Sequence, residues 1–231
     1  MWRNHPGRAH HRVLICLICL ICLPEITLLL ADRGLIGSAR WRLLAYQYGG
    51  FWAGLLYGWK PNYAAQPGLM FVTYAFLHTG PAHLIGNMLG LGWLGVRLID
   101  RWGAARFIGV YLAALLGGAA GFAALTHSPA PMIGASGAIF GLTAAWMLGE
   151  WQDRRARVLQ AGPWGWAALW SSLGPALGLT LVLVIFNLIT WALQNGQLAW
   201  ETHLGGFLAG LIAALCIGNR GQLPPKPAAG S

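Results

Sequence analysis

Six apolar runs, each near the length needed to cross a bilayer, constrain this chain more than any other feature. A membrane-spanning helix needs about 20 mostly apolar residues, and the runs lie at 13–31, 80–99, 104–126, 133–149, 166–193 and 199–217. Charged residues make up only 9% of the chain, against about 25% in soluble domains. This scarcity excludes a soluble globular protein, and a hydrophobic content of 57% excludes a disordered one. The sequence therefore predicts an all-α membrane protein with six transmembrane helices.

The stretch between the first two runs, residues 32–78, is not typical of a membrane span. It is rich in aromatic side chains and interrupted by glycine and proline. Because amphipathic aromatic rings favour the membrane–water interface, we expect a long extracytoplasmic loop that lies partly among the lipid headgroups. The six-span domain then covers residues 13–217, between a basic N-terminus at 1–12 and a short tail at 218–231.

The basic residues are distributed unevenly between the predicted loops. All 15 Lys and Arg residues lie on one side of the membrane except Arg33, Arg40, Arg42 and Lys60. Cytoplasmic segments of membrane proteins carry the excess of positive charge, so we expect both termini in the cytoplasm. The net charge of +9 is then explained by the orientation of the chain in the membrane. It indicates a lipid bilayer rather than nucleic acid as the partner.

The first run follows a basic segment, as in a secretory signal peptide, but no small-x-small cleavage site follows it cleanly. We therefore expect a retained anchor. Three of the four cysteines recur every third residue in this run and are interpreted as apolar packing residues. The cysteines and the seven histidines show no spacing typical of a disulfide framework or a metal site, and we expect neither a metal nor a cofactor.

A few polar side chains lie at a similar depth in three spans that run in the same direction. His83 and Asn87 are in the second span, Ser136 is in the fourth and His203 is in the sixth. Polar groups within a membrane are costly and are candidates for functional residues. Taken singly, each has a simpler explanation, as a link between helices or as a serine that bonds to its own helix backbone. Their common depth favours a shared site.

Glycine spacing indicates that two of these residues come together. Ser136 and His203 are each followed by a Gly-x-x-x-Gly pair, Gly137–Gly141 and Gly206–Gly210, which allows two helix backbones to approach closely. A serine beside a histidine base is an activated nucleophile. The nearest acidic residue in the sequence, Glu201, is interpreted as an interfacial charge, so the residues indicate a Ser–His dyad. His83 and Asn87 lie four apart on one helix face, where both can donate to a developing oxyanion.

Three spaced motifs follow one another along the chain: His78-x4-His83-x3-Asn87, Gly134-x-Ser136-Gly137 and His203-x2-Gly206-x3-Gly210. In order and spacing they resemble the motifs of the rhomboid intramembrane serine proteases, and the resemblance extends over residues 13–217. It implies a rhomboid-like helical bundle of the bacterial type with a six-span core, in the inner membrane of a bacterium. It also implies that Ser136 is the nucleophile, that His203 is the general base, and that His83, Asn87 and the Ser136 backbone N–H form the oxyanion hole. His78 would be mainly structural.

Two positions depart from the family pattern. Phe140 stands where the family has an aromatic residue, often tyrosine, stacked under the histidine; it keeps the ring and loses the hydroxyl. The family's first outer loop usually carries a Trp-Arg pair shortly before the first motif histidine, but Leu69 and Met70 occupy that place here. A Trp41-Arg42 pair lies further upstream and is not equated with it.

The resemblance implies a serine endopeptidase that cleaves single-pass membrane proteins near the extracytoplasmic face, without a metal or cofactor. Two alternatives are an inactive rhomboid-like protein that binds membrane clients, and a small transporter or channel. Inactive relatives lack the serine or the histidine, whereas this chain has both. Transporters often show internal repeats, and we find none in the sequence. The sequence does not indicate an oligomeric state.

Overall fold

The computed structural model describes residues 7–161, 165–193 and 197–217. Regular structure within these ranges is helical, apart from one bridge between Phe51 and Met132, which confirms the all-α prediction for them. The α-helices of these ranges are α1 (Gly7–Asp32), α2 (Arg40–Gly49), α3 (Gln66–Thr73), α4 (Pro81–Trp102), α5 (Ala104–Leu125), α6 (Ser136–Ala161), α7 (Trp166–Leu193) and α8 (Trp200–Ile217). The predicted tail at 218–231 and the start of the predicted N-terminus lie outside the described residues.

Five of the described helices are long and apolar enough to cross a membrane, namely α1, α4, α5, α7 and α8. They correspond to five of the six predicted spans. Helix α6 corresponds to the run predicted at 133–149, but it begins at Ser136 and continues through a charged stretch to Ala161, which lowers its mean hydropathy. A sixth span through α6 therefore stays a prediction, as does the orientation of the termini.

The segment 32–78 contains α2 and α3 together with two 3₁₀ turns. With 10 and 8 residues, these two helices are too short to cross a bilayer, in agreement with the interpretation of this segment as non-spanning. Its backbone is held together by the buried Gln66 side chain, which donates to the Gln47 backbone carbonyl at 2.8 Å and accepts from the Asn62 backbone N–H at 2.8 Å. The predicted loop is thus a folded element.

A buried ion pair explains the acidic residue within the first apolar run. Glu25 is fully buried and accepts two hydrogen bonds of 3.0 Å from the Arg42 guanidinium, and these bonds raise the pKa of Arg42. Arg42 also donates to Asp32 at 2.7 Å and to the His78 carbonyl at 3.1 Å. A buried carboxylate needs such a partner because desolvation of a lone charge is costly. The pair joins α1, α2 and the chain that leads into α4.

Helix α8 lies in close backbone contact with both α5 and α6. A Cβ on Gly206 would clash with the Gly137 carbonyl of α6, and one on Gly205 would clash with the Gly117 carbonyl of α5. In a membrane, where helices gain little from the hydrophobic effect, such small-residue contacts supply van der Waals attraction. These glycines therefore hold the beginning of α8 against the beginning of α6.

Candidate active site

Ser136 begins α6, directly after a turn that requires glycine. Gly134 has a φ of +119°, in the left-handed region that glycine adopts at little cost. A Cβ on Gly134 would also lie 2.8 Å from His83 Nε2, so glycine allows the His83 ring to contact this turn. The first N–H groups of a helix have no partner within it, and the Ser136 N–H is therefore suited to bind an anion.

The Ser136 hydroxyl and the His203 imidazole form a hydrogen bond. Ser136 Oγ lies 2.9 Å from His203 Nε2, and His203 is only 7% exposed. The residues are 67 positions apart in the chain, and the glycine contact between α6 and α8 brings them together. This is the geometry of a nucleophile beside its base.

Two further side chains orient His203. The Phe140 ring, one turn after Ser136, stacks on the imidazole with a centroid separation of 4.2 Å and an interplanar angle of 4°. At the edge of the imidazole, Asn187 of α7 places its Oδ1 2.5 Å from His203 Nδ1. Asn187 was not predicted from the sequence, although an amide within an apolar run was a signal. Glu201, interpreted above as an interfacial charge, is largely buried.

The two predicted oxyanion donors lie on the first turns of α4. The His83 ring contacts the turn before Ser136, and its Nδ1 lies 3.2 Å from Thr79 Oγ1. Asn87 is 6% exposed, and one of its amide N–H groups donates to the His83 carbonyl at 3.0 Å. The structure therefore places His83 against the turn before Ser136, and Asn87 one helical turn further along α4.

His78 is a buried neighbour of the site. Its ring meets that of His83 edge to face at 5.0 Å. Burial and then the proximity of His83 lower the pKa of His78 to about 4, so the ring is neutral at pH 7. Its backbone carbonyl accepts hydrogen bonds from the Tyr46 hydroxyl at 2.6 Å and from Arg42 at 3.1 Å. Arg42, whose role the sequence left open, thus supports the chain just before α4.

An apolar groove with a volume of about 560 Å³ runs between α7 and α8. Apart from Asn187, His203 and Thr180, its walls are apolar: Phe140, Leu183, Val184, Leu188, Trp191, Trp200, Leu204, Phe207 and Leu208. The groove therefore places an apolar surface next to the His203 imidazole. Among the described residues, no group of three or more His, Cys, Asp or Glu side chains is arranged to hold a metal ion.

The fold and the site define a multi-pass helical membrane protein with a part-buried Ser–His pair. The chain belongs to the rhomboid family, because the Rhomboid domain model matches residues 67–220, and this confirms the resemblance inferred from the three motifs. Members of this family are generally intramembrane serine proteases.

Individual relatives are similar over part of their length. Rhomboid protease GluP of Bacillus subtilis (strain 168) is 29% identical over 147 residues, which cover 64% of this chain and 25% of that protein. RHOMBOID-like proteins 5 and 2 of Arabidopsis thaliana are each 31% identical, over 65% and 69% of this chain and 44% of each relative. The chain thus spans less than half the length of these relatives.

Proposed function

We propose that this protein is an intramembrane serine endopeptidase that hydrolyses peptide bonds of single-pass membrane proteins near the extracytoplasmic face. The observation that carries the proposal is the hydrogen bond between Ser136 Oγ and His203 Nε2 at the buried end of two closely packed helices. The family membership and the mechanism-bearing motifs support the same activity.

The reaction would follow the usual course of acyl transfer. Ser136 Oγ attacks the peptide carbonyl while its proton moves to His203 Nε2. His203 then protonates the leaving amine, and an ester on Ser136 remains. Water, deprotonated by His203, hydrolyses this ester and regenerates the hydroxyl. His83, Asn87 and the Ser136 N–H are proposed to stabilise the oxyanion that forms in both halves of the reaction.

The apolar groove between α7 and α8 supports a substrate that is itself a membrane segment. Its walls are as apolar as the side chains of a transmembrane helix, and His203 is one of the residues that line it. Peptide carbonyls in a regular helix are hydrogen-bonded and shielded, so a productive substrate must unwind locally. We propose single-pass proteins with small or helix-breaking residues near the cleaved bond, in a bacterial inner membrane and with both termini of this chain cytoplasmic.

A fluorophosphonate probe tests the proposal in purified, detergent-solubilised protein. We expect covalent labelling that disappears in Ser136→Ala and is strongly reduced in His203→Ala. Ser128→Ala is the matched control, because Ser128 is an exposed serine that bonds only to nearby backbone within its loop. Labelling that survives Ser136→Ala would refute the assignment of the nucleophile. A folded wild type that neither labels nor cleaves a transmembrane substrate would favour an inactive rhomboid-like protein that binds membrane clients.

A further inference from the structure

We propose that Asn187 is a positioning residue that fixes the tautomer and ring orientation of His203, and so makes the reactivity of Ser136 depend on the position of helix α7. The inference rests on the proposed function and extends it, since it adds a third member to the Ser–His pair and assigns a role to a helix that carries neither reacting group.

The orientation of the Asn187 amide follows from its two hydrogen bonds. Its Nδ2 lies 2.9 Å from the Leu183 carbonyl, one turn earlier in α7, and only an N–H can donate to a carbonyl. The Oδ1 therefore faces His203 Nδ1. An amide oxygen has no proton to give, so Nδ1 must carry the hydrogen. The lone pair of the imidazole is then on Nε2, which is the atom that faces Ser136 Oγ.

The contact with Phe140 does not achieve this selection. A ring stacked on the imidazole at an interplanar angle of 4° defines the plane of the ring, but it permits rotation within that plane and both tautomers. The Asn187 bond is directional and lies in the plane of the imidazole. It therefore fixes the rotation of the imidazole within its plane and the tautomer, which the stacking leaves undetermined.

The proton stays between Ser136 and His203 in this arrangement. During attack the Ser136 O–H bond breaks and an Nε2–H bond forms, which leaves a positively charged imidazolium. Asn187 Oδ1 continues to accept the Nδ1–H throughout. It stabilises the imidazolium by its dipole and takes no proton, as a neutral counterpart of the carboxylate in a Ser-His-Asp triad.

Helix α7 contacts the site mainly through this bond. The most apolar stretch of α7 has none of its residues buried inside the protein, and the α7 residues beside Asn187, namely Leu183, Val184, Leu188 and Trp191, line the apolar groove. Since a donor and acceptor about 3.6 Å apart no longer form a hydrogen bond, a displacement of α7 by about 1 Å would release His203 Nδ1. A segment that occupies the groove is therefore in a position to alter the orientation of the base.

Kinetics of the full-length protein in detergent or liposomes test the proposal. With a fluorogenic transmembrane peptide, we expect Asn187→Ala to lower kcat by about 10- to 100-fold, the effect of one unsatisfied buried donor, with little change in KM. Thr180→Ala is the matched control, because Thr180 lines the same groove on α7 and bonds only to the Ala176 carbonyl. An unchanged kcat in Asn187→Ala, or an equal loss in Thr180→Ala, would overturn the proposal.

A conservative variant separates positioning from helix packing. Asn187→Asp keeps an acceptor and adds a negative charge, so we expect it to restore most of the kcat lost in Asn187→Ala. The acidic limb of its pH–rate profile should move to higher pH, because a carboxylate favours the imidazolium. Ser136, Phe140 and the nearby titratable His83 remain in every variant. A profile that coincides with that of the wild type would contradict the role of Asn187.

The tautomer itself is measurable without activity. Long-range ¹H–¹⁵N spectra of protein labelled with ¹⁵N-histidine are expected to show the hydrogen of wild-type His203 on Nδ1, and a mixture of tautomers in Asn187→Ala. A hydrogen on Nε2 in the wild type would overturn the proposal whatever the activity. The predicted tautomer in a protein without Ser136-dependent hydrolysis would contradict the proposed function alone.

Discussion

Helix α8 meets its neighbours on two sides in opposite ways. Toward α5 and α6, glycines allow the backbones to touch, and an added Cβ on Gly206 or Gly210 would overlap a carbonyl oxygen. Toward α7 there is an apolar groove of about 560 Å³, bridged by the bond between His203 and Asn187. The close side sets the distance from Ser136 to His203 through backbone contact. The open side leaves room for a ligand and connects to the base through one side chain.

The same contrast separates the core bundle, formed by helices α1 to α6 and α8, from α7. The core bundle contains the buried pair of Glu25 and Arg42, the neutral His78 and the glycine contacts. Helix α7 contributes Asn187 and a groove wall. Changes at buried positions of the core bundle should therefore cost stability, whereas changes at exposed positions of α7 away from Asn187 should not.

The largest loss of stability is expected for Glu25→Ala. The variant leaves the Arg42 guanidinium without its buried partner, and removal of one member of a buried pair costs about 3–5 kcal/mol. We expect the lower end of this range because Asp32 still accepts from Arg42. Denaturant unfolding in detergent micelles measures the change. Asp32→Ala is the control; its side chain is 33% exposed, and its loss should cost about 1 kcal/mol or less. Equal losses of stability in the two variants would contradict the Glu25–Arg42 pair as the main link between α1 and α2.

Asn87→Ala is expected to slow turnover of a transmembrane peptide by about 10- to 1,000-fold, the range for one lost oxyanion donor. The effect should appear in kcat, since the oxyanion exists only during reaction. Comparison with Asn187→Ala distinguishes an asparagine of the core bundle from one on α7: the Asn87 variant should leave the tautomer of His203 unchanged. Normal turnover in Asn87→Ala would remove Asn87 from the site.

The pH dependence of stability should reveal His78. Its pKa is lowered from 6.5 to about 4 in the folded protein by burial and by His83, so the unfolded chain binds the proton more tightly. The free energy of unfolding should therefore fall as the pH decreases from 6.5 toward 4, by at most about 1.4 kcal/mol per pH unit from this group. Unfolding titrations of the wild type and His78→Gln measure the difference. Parallel curves for the two proteins would show that His78 does not contribute.

The last prediction compares the effect on stability of one added methyl group on each side of α8. Gly206→Ala forces a Cβ against the Gly137 carbonyl, and we expect a loss of about 1–3 kcal/mol with slower probe labelling. Gly178→Ala on α7 has nothing within 4 Å of the new Cβ, so it should be neutral or stabilise the helix by up to about 1 kcal/mol. Thermal unfolding in detergent tests both. Similar losses of stability in Gly206→Ala and Gly178→Ala would contradict the difference between the close side of α8 and its open side.

Much of the helical layout was predictable because hydropathy is a local property. The apolar runs at 80–99 and 104–126 coincide within a few residues with α4 and α5. The three motifs were equally readable, since each spans fewer than a dozen residues of the sequence. Helix α6 differs because its charged end extends the helix beyond the apolar run, and hydropathy does not detect a helix that leaves the apolar region.

Composition, run length and motif order were enough to predict a multi-pass helical membrane protein that resembles the rhomboid family, and to single out Ser136 and His203 as candidates for the nucleophile and its base. The pairing of Arg42 with Glu25 and the bond between Asn187 and His203 became visible in the folded bundle alone. These contacts depend on the rotation of each helix about its axis and on which helices lie side by side. A lone asparagine in an apolar run indicates that a partner is needed, but only the assembled bundle shows which partner it meets.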